Sequence, residues 1–297
     1  MTSIDGQDSS YLDLLKRRLT DSILIDDPLA NLSLYRAKAE TPAWKRRAIS
    51  ALRSFLARYR LQIVEPRWVP WDPGFPNTSA DELLRLRSRG LGWPARAQTL
   101  IGLQRLDNIQ YCVETVLQEG VPGDLIETGV WRGGACIFMR AILKAHGDQT
   151  RAVWLADSFT GLPLPNAADY PADAGDKHHA WNDFFAVSRA EVEVNFRRYG
   201  LLDSRVRFLE GWFKDTLPTA PIERLAVMRL EGDMYESTMQ ALEALYPKLS
   251  PGGFVIVDDY CLPPCARAIT DFRGAQGIAD PMREIDGNAV FWRRASQ

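Results

Sequence analysis

The chain has 297 residues, of which 46% are hydrophobic and 25% charged, and it carries a net charge of −2. That length holds one large or two modest domains with a buried core, and the composition excludes disordered and fibrous classes. The charge gives no basic field for nucleic acid or anionic membrane, and no apolar run reaches the roughly 18 residues of a membrane span.

The first residues, MTSIDGQDSSYLDLL, lack the charged start and apolar centre of a signal peptide, so a cytoplasmic protein is expected. Four cysteines (Cys112, Cys136, Cys261, Cys265) are too few and scattered for a disulfide framework and read as free thiols. Cys261-x-x-x-Cys265 is half of a metal-site spacing, but three histidines and no second pair leave it without partners.

Leu12, Leu15 and Leu19 recur on one face behind Ser9 and Ser10, which predicts a first helix over 9–19. From 41 to 59, Ile49, Leu52, Leu56 and Tyr59 alternate with Lys45, Arg46, Arg47, Arg53 and Arg58, a basic amphipathic helix whose charged side is an ordinary solvated face or a docking face. Residues 65–95 are rich in Pro, Gly and Trp and predict a loop-rich cover, with Trp68, Trp71, Phe75 and Trp93 plugging it onto the main domain or lining an acceptor pocket. A helix over 103–118 then leads into the core.

The stretch from Asp124 to Ala145, DLIETGVWRGGACIFMRAILKA, reads as strand, tight loop and helix. A strand ending in Glu127 is followed by Gly129, Gly133 and Gly134, which let backbone approach a ligand at a helix N-terminus. The spacing E-x-G-x-x-x-G-G differs from the G-x-G-x-x-G that makes room for a pyrophosphate. A nucleoside cofactor without one is expected, and S-adenosylmethionine is the common example. Glu127 is then the acceptor for its ammonium group.

A second strand, 152–157, ends in Asp157 about 20 residues past the glycine turn, where a ribose hydroxyl pair is held. The polar, proline-rich run 161–182 predicts an active-site lid, followed by a helix over 183–199 stopped at Gly200. Strands are predicted at 206–209, 225–230 and 254–257. Gly211-Trp212-Phe213 sits where an adenine ring is flanked, and Pro251-Gly252-Gly253 is expected to end the helix before the fifth strand. The tail, with Asp286-Gly287-Asn288 between MREI and AVFW, predicts a closing hairpin. Alternating strands and helices give an α/β fold with a mostly parallel, doubly wound sheet and an antiparallel end, whose ligands bind at the carboxyl ends of the strands.

Glu231 and Asp258-Asp259 close two successive strands, so the fold brings them together. Three carboxylates with no nearby histidine or cysteine make an all-oxygen site suited to Mg²⁺, which would hold substrate hydroxyls while one carboxylate takes the proton. The plainer reading is that these acids cap helices or loop amides. His178 and His179 in the lid are rival bases, although loop histidines are usually solvent-facing.

These motifs, DLIETGVWRGGACIFMRAIL, LADSFTGLP, YPADAGDKHH, GWFKDTLP, GDMYEST and GGFVIVDDY, together with YLDLLKRRLTDSI, resemble the macrocin O-methyltransferase family. The resemblance implies a class I, Rossmann-like methyltransferase with a seven-stranded sheet over 97–297, a helical N-terminal cover over 1–96, and a homo-oligomer. It also implies S-adenosylmethionine as donor, Mg²⁺, and methylation of sugar hydroxyls on glycosylated antibiotics. The expected cofactor set is Thr99, Glu127, Gly129, Gly133, Asp157, Ser158, Phe159, Gly211, Trp212 and Phe213; the metal set is Glu231, Asp258 and Asp259, with Glu231 as base.

This chain has Glu231-Gly232-Asp233 where the family usually shows Asp-Gly-Asp, one methylene more of reach, which makes Asp233 a second candidate ligand. Residues 34–75 are longer and more basic than in antibiotic-sugar members, and Gly92 stands where an acid commonly precedes Trp-Pro. Two other readings remain open: a catechol-like phenol as acceptor, and an inactive cofactor-binding module whose basic helix serves a partner.

Overall fold

The computed structural model describes residues 6–23, 80–91 and 96–295. The basic helix expected over 41–59, Gly92 and the aromatics Trp68, Trp71, Phe75 and Trp93 lie outside the described residues. Among the described residues, no helix is long and apolar enough to cross a membrane.

Helices α1 (Gly6–Leu19), α2 (Ala80–Ser88) and α3 (Leu103–Gln118) precede β1 (Asp124–Thr128) and α4 (Gly134–Ala145). Then come β2 (Val153–Asp157), α5 (Arg189–Arg198), β3 (Val206–Glu210), β4 (Leu225–Leu230), α6 (Tyr235–Leu245) and β5 (Leu249–Val257). Helix α7 (Pro263–Ala275) and the strands β6 (Arg283–Glu284) and β7 (Val290–Arg293) complete the chain. The seven strands lie in the order β3-β2-β1-β4-β5-β7-β6. The first five are parallel and β7 runs antiparallel to β5, so this is the α/β, Rossmann-like architecture of class I methyltransferases.

The strands are apolar on both faces because helices cover both. Leu125, Val153, Leu155 and Val227 face a layer built from α1, α3, α4 and α5. Ile126, Trp154, Ala156 and Met228 face α6 and α7 through Leu242, Leu245, Ile269 and Phe272. Each buried Leu, Ile, Val, Met or Phe among them contributes about 1.5–3 kcal/mol. Helix α1 belongs to this body: Leu12, Leu15 and Leu19 are buried, and the Lys16 ammonium pairs with Asp107 of α3 at 2.6 Å.

Three expected elements differ. Within the loop-rich cover expected over 65–95, Ala80–Ser88 is helix α2, with Asp81 and Glu82 in its first turn. The helix over 183–199 is a turn at Asn182–Phe185 followed by α5, because Ala186 is extended and the Ser188 hydroxyl caps α5 by accepting from the Glu191 amide. Pro251-Gly252-Gly253 does not end α6, which stops at Leu245; the three residues lie inside β5, where the pairing with β4 shifts register.

Candidate functional site

A cavity of about 1290 Å³ opens over the carboxyl ends of the parallel strands. One side is formed by Gly129, Asp157, Ser158 and Gly211-Trp212-Phe213, the other by Glu231, Asp233, Asp258 and Asp259. Leu162, Pro163, Leu164 and His178 come from the segment between β2 and α5, and Leu86 and Leu91 from α2 and the residues after it.

The turn after β1 is fixed by contacts that only glycine allows. Gly129 has φ 78°, and a Cβ there would collide with the carbonyl oxygen of Glu231. A Cβ on Gly133 would meet Val192 at 2.8 Å, and one on Gly134 would overlap the Gln98 carbonyl. Trp131, Phe159 and Asp233 hold positive φ without being glycine, at 46°, 54° and 54°. All three lie just past the ends of β1, β2 and β4, where backbone strain clusters at ligand sites.

Asp157 accepts from the amides of Val130 and Phe159, both at 2.7 Å, which ties the first two strand-end loops together. Burial nevertheless raises its pKa. Of the expected cofactor residues, Gly129, Asp157, Ser158, Gly211, Trp212 and Phe213 line the cavity, whereas Thr99, Glu127, Gly133 and Phe159 stand behind its wall. Thr99 packs on Gly134, and the Phe159 ring lies 6.0 Å from that of Phe208.

Glu127 is fully buried; one carboxylate oxygen accepts from the Arg229 guanidinium and the other from the Cys136 thiol at 2.8 Å. Glu127 thus does not line the cavity, and both of its oxygens have partners within the protein. Its partner follows from register, since Glu127 and Arg229 are neighbours on adjacent parallel strands.

The three predicted metal ligands do converge. One oxygen from each of Glu231, Asp258 and Asp259 lies within 4.8 Å of the others. The Arg229 guanidinium reaches Glu127, Glu231 (2.6 Å) and Asp258. Arg105 of α3 takes the second oxygen of Asp258 and also Asp286 at 2.7 Å. Asp259 accepts from the amides of Gly232 and Asp233 at 3.0 and 3.1 Å, so it shapes the loop after β4.

Charge does not balance in this cluster. Among the described residues, the cations that pair with the acids Glu127, Glu231 and Asp258 of this cluster, which also holds Asp233 and Asp259, are Arg105 and Arg229. Burial, then the repulsion of Asp258, pushes the Glu231 carboxyl well above its usual range against the pull of Arg229. Burial and Asp233 raise Asp259 to about 8, and burial and Glu231 raise Asp233 to about 7. An excess of hard oxygen donors short of positive charge fits a divalent cation. Glu231 and Asp259 each have one oxygen committed and one left for it, and 27% of the Glu231 side chain is open to the cavity. Asp258 would share an oxygen with an arginine.

The segment over the cavity is pinned at both ends. The Asn182 side chain accepts from the Leu162 amide at 2.8 Å and donates to its carbonyl at 2.9 Å. Buried Asp173 accepts from the amides of Tyr235 and Glu236 at 2.6 and 3.0 Å, capping α6 from outside the helix. The two histidines part company: His178 lines the cavity, His179 does not. Sequence reading missed Arg229, Arg105 and Asp173. Arg229 had a signal, a lone charge in an otherwise apolar strand.

A sequence model described as macrocin O-methyltransferase (TylF) matches residues 8–294. The chain is 60% identical over 210 residues, 71% of its length and 80% of the relative's, to the 8-demethyl-8-(2,3-dimethoxy-alpha-L-rhamnosyl)-tetracenomycin-C 4'-O-methyltransferase of Streptomyces olivaceus. It is 53% identical over 221 residues, 74% of its length and 87% of the relative's, to the mycinamicin III 3''-O-methyltransferase of Micromonospora griseorubida. Among solved structures, the O-methyltransferase NovP superposes with a TM-score of 0.77 at 44% identity, covering 97% of this chain and 100% of NovP.

Proposed function

The chain belongs to the macrocin O-methyltransferase family and is an S-adenosylmethionine-dependent O-methyltransferase; on that premise we propose that it methylates a hydroxyl on a sugar of a glycosylated, macrolide-like natural product with the help of Mg²⁺. The observation that carries this reading is the cluster of Glu231, Asp258 and Asp259 opening into the same cavity as Asp157 and Trp212. A donor pocket alone would serve many methyltransferases. An acid cluster beside it serves one that prepares an oxygen.

The cavity exceeds the 300–1,000 Å³ of an ordinary single-ligand pocket, which supports two ligands side by side. When bound, S-adenosylmethionine supplies a methyl group on a sulfonium, and Mg²⁺ supplies positive charge beside the acceptor oxygen. Asp157 would hold the ribose hydroxyls, and Trp212 and Phe213 would flank the adenine. Glu231, Asp258 and Asp259 hold the cation, with Asp233 as second choice.

With donor and acceptor bound, the acceptor oxygen would form a bond to the methyl carbon as the carbon–sulfur bond breaks, and the Glu231 carboxylate would take the hydroxyl proton. A carboxylate whose pKa is raised by burial is a stronger base than an exposed one, which supports Glu231 as the proton acceptor. The same reading carries the expectation of a homo-oligomer, which light scattering on the purified protein tests, and of a cytoplasmic location, which cell fractionation tests.

The function is tested by incubating the protein with S-adenosylmethionine, Mg²⁺ and two acceptor panels, glycosylated macrolides and catechols. Mass spectrometry is expected to find methylation on the sugar. Methylation of catechols alone would overturn the acceptor class, and tight cofactor binding without metal binding or turnover on either panel would make the protein an inactive binding module.

A further inference from the structure

The ring of His178 is held in one orientation. Its Nδ1 lies 2.5 Å from Oδ2 of Asp176, and the other oxygen of Asp176 accepts from the backbone amide of His178 itself at 2.9 Å. A carboxylate oxygen accepts, so Nδ1 carries the hydrogen and Nε2 is the remaining polar atom of the ring. The Asp176 side chain is 7% exposed while 38% of the His178 side chain is open, in the wall of the cavity.

The segment that presents this pair is anchored rather than loose. Asn182 closes its neck on Leu162, and Asp173 fastens it to the first turn of α6, two residues beyond Asp233. The Pro171–Asp173 turn, three residues before Asp176, packs on α6 and α7, the helices that follow β4 and β5. Asp157 and Gly211-Trp212-Phe213 lie past β2 and β3, on the other side of the cavity. His178 therefore belongs to the half of the cavity that holds the acids.

We infer that His178 is an acceptor-binding residue, Nε2 forming a hydrogen bond with a polar group of the sugar-bearing acceptor, and that Asp176 is the positioning residue that aims it. The inference rests on the acceptor class proposed above. It separates the two histidines of the lid and assigns His178 to binding, with the proton left to Glu231.

The test is steady-state kinetics of His178→Ala, His178→Gln, Asp176→Ala and Asp176→Asn with a glycosylated macrolide acceptor, alongside titrations of S-adenosylhomocysteine and Mn²⁺. In His178→Ala the acceptor KM is expected to rise on the order of tenfold, the loss of one hydrogen bond, with kcat near wild type. Affinity for S-adenosylhomocysteine and Mn²⁺ should be unchanged, which also shows that the site is folded. His178→Gln keeps a polar group and should recover part of the loss; Asp176→Ala should raise KM less than His178→Ala, and Asp176→Asn less again. An unchanged acceptor KM in His178→Ala overturns the inference, as does a fall in kcat at constant KM, which would make His178 a base. Absence of wild-type turnover with every glycosylated acceptor would overturn the acceptor class and this inference together, whereas wild-type turnover with an unaltered KM in His178→Ala overturns this inference alone.

Discussion

Arg229 pairs with Glu231 at 2.6 Å from inside the sheet, so the proposed base is held by a buried cation. The same guanidinium holds Glu127 and Asp258, and it thereby fixes acids from the ends of three neighbouring strands.

Arg229→Met is expected to cost about 3–5 kcal/mol, because it leaves buried carboxylates without their counter-charge. Arg229→Lys keeps the charge but loses the fork that spans several carboxylates, so it should fold and bind Mn²⁺ more weakly. Thermal melts and Mn²⁺ titrations check both; a Lys variant with wild-type Mn²⁺ affinity would remove Arg229 from the organisation of the metal site.

Glu231→Gln removes the proton acceptor and little volume. Turnover should fall on the order of 10²–10⁴-fold while S-adenosylhomocysteine binds as before. Near-wild-type turnover would sink Glu231 as base. Glu231→Asp restores the residue usual in the family and should keep Mn²⁺ binding.

Chelation of divalent cations should abolish turnover, and Mg²⁺ should restore it. Its pH dependence follows from the raised carboxyls. Asp233 and Asp259 move from 3.8 in the unfolded chain to about 7 and about 8 in the metal-free fold. Between these limits the folded state binds more protons than the unfolded one. Their contribution to stability is thus fully present below about pH 4 and is lost as pH rises to about 8. A cation replaces those protons, so it should bind more tightly as pH rises over the same window. The increase in Tm on adding Mg²⁺ is expected to be larger at pH 8 than at pH 6. Equal increments, read by calorimetry, would contradict the assignment.

Gly129→Ala places a methyl group against the Glu231 carbonyl and forces alanine into positive φ. Strain of about 1–3 kcal/mol, plus displacement of the loop after β4, should lower both Tm and Mn²⁺ affinity. Wild-type Mn²⁺ affinity would show that the two loops move independently.

The strand ends were legible because apolar runs closed by an acid, as in LAD and VIVDD, carry both the burial and the site in a few residues. Side-chain commitments were not. Glu127 is expected at the site because it closes β1, but that register also sets it beside Arg229, which takes one of its oxygens, lies in the strand pairing and not in the local sequence. The break before α5 was hidden because Val187, Val192 and Phe196 all join the core, and local spacing does not reveal that Ser188 between them caps a new helix. Asp173 caps a helix more than sixty positions away, a relationship no local pattern contains.

The close contact of Gly129 with the backbone of Glu231 has a consequence for how such an enzyme can diversify. Donor loop and acid loop meet with no room for even a methyl group, so neither can drift without the other. Leu86, Leu91 and Leu164 lie at the outer wall, free of that joint. Selection for a new acceptor can remodel those positions while the alignment of the methyl donor with the proposed proton acceptor is inherited intact.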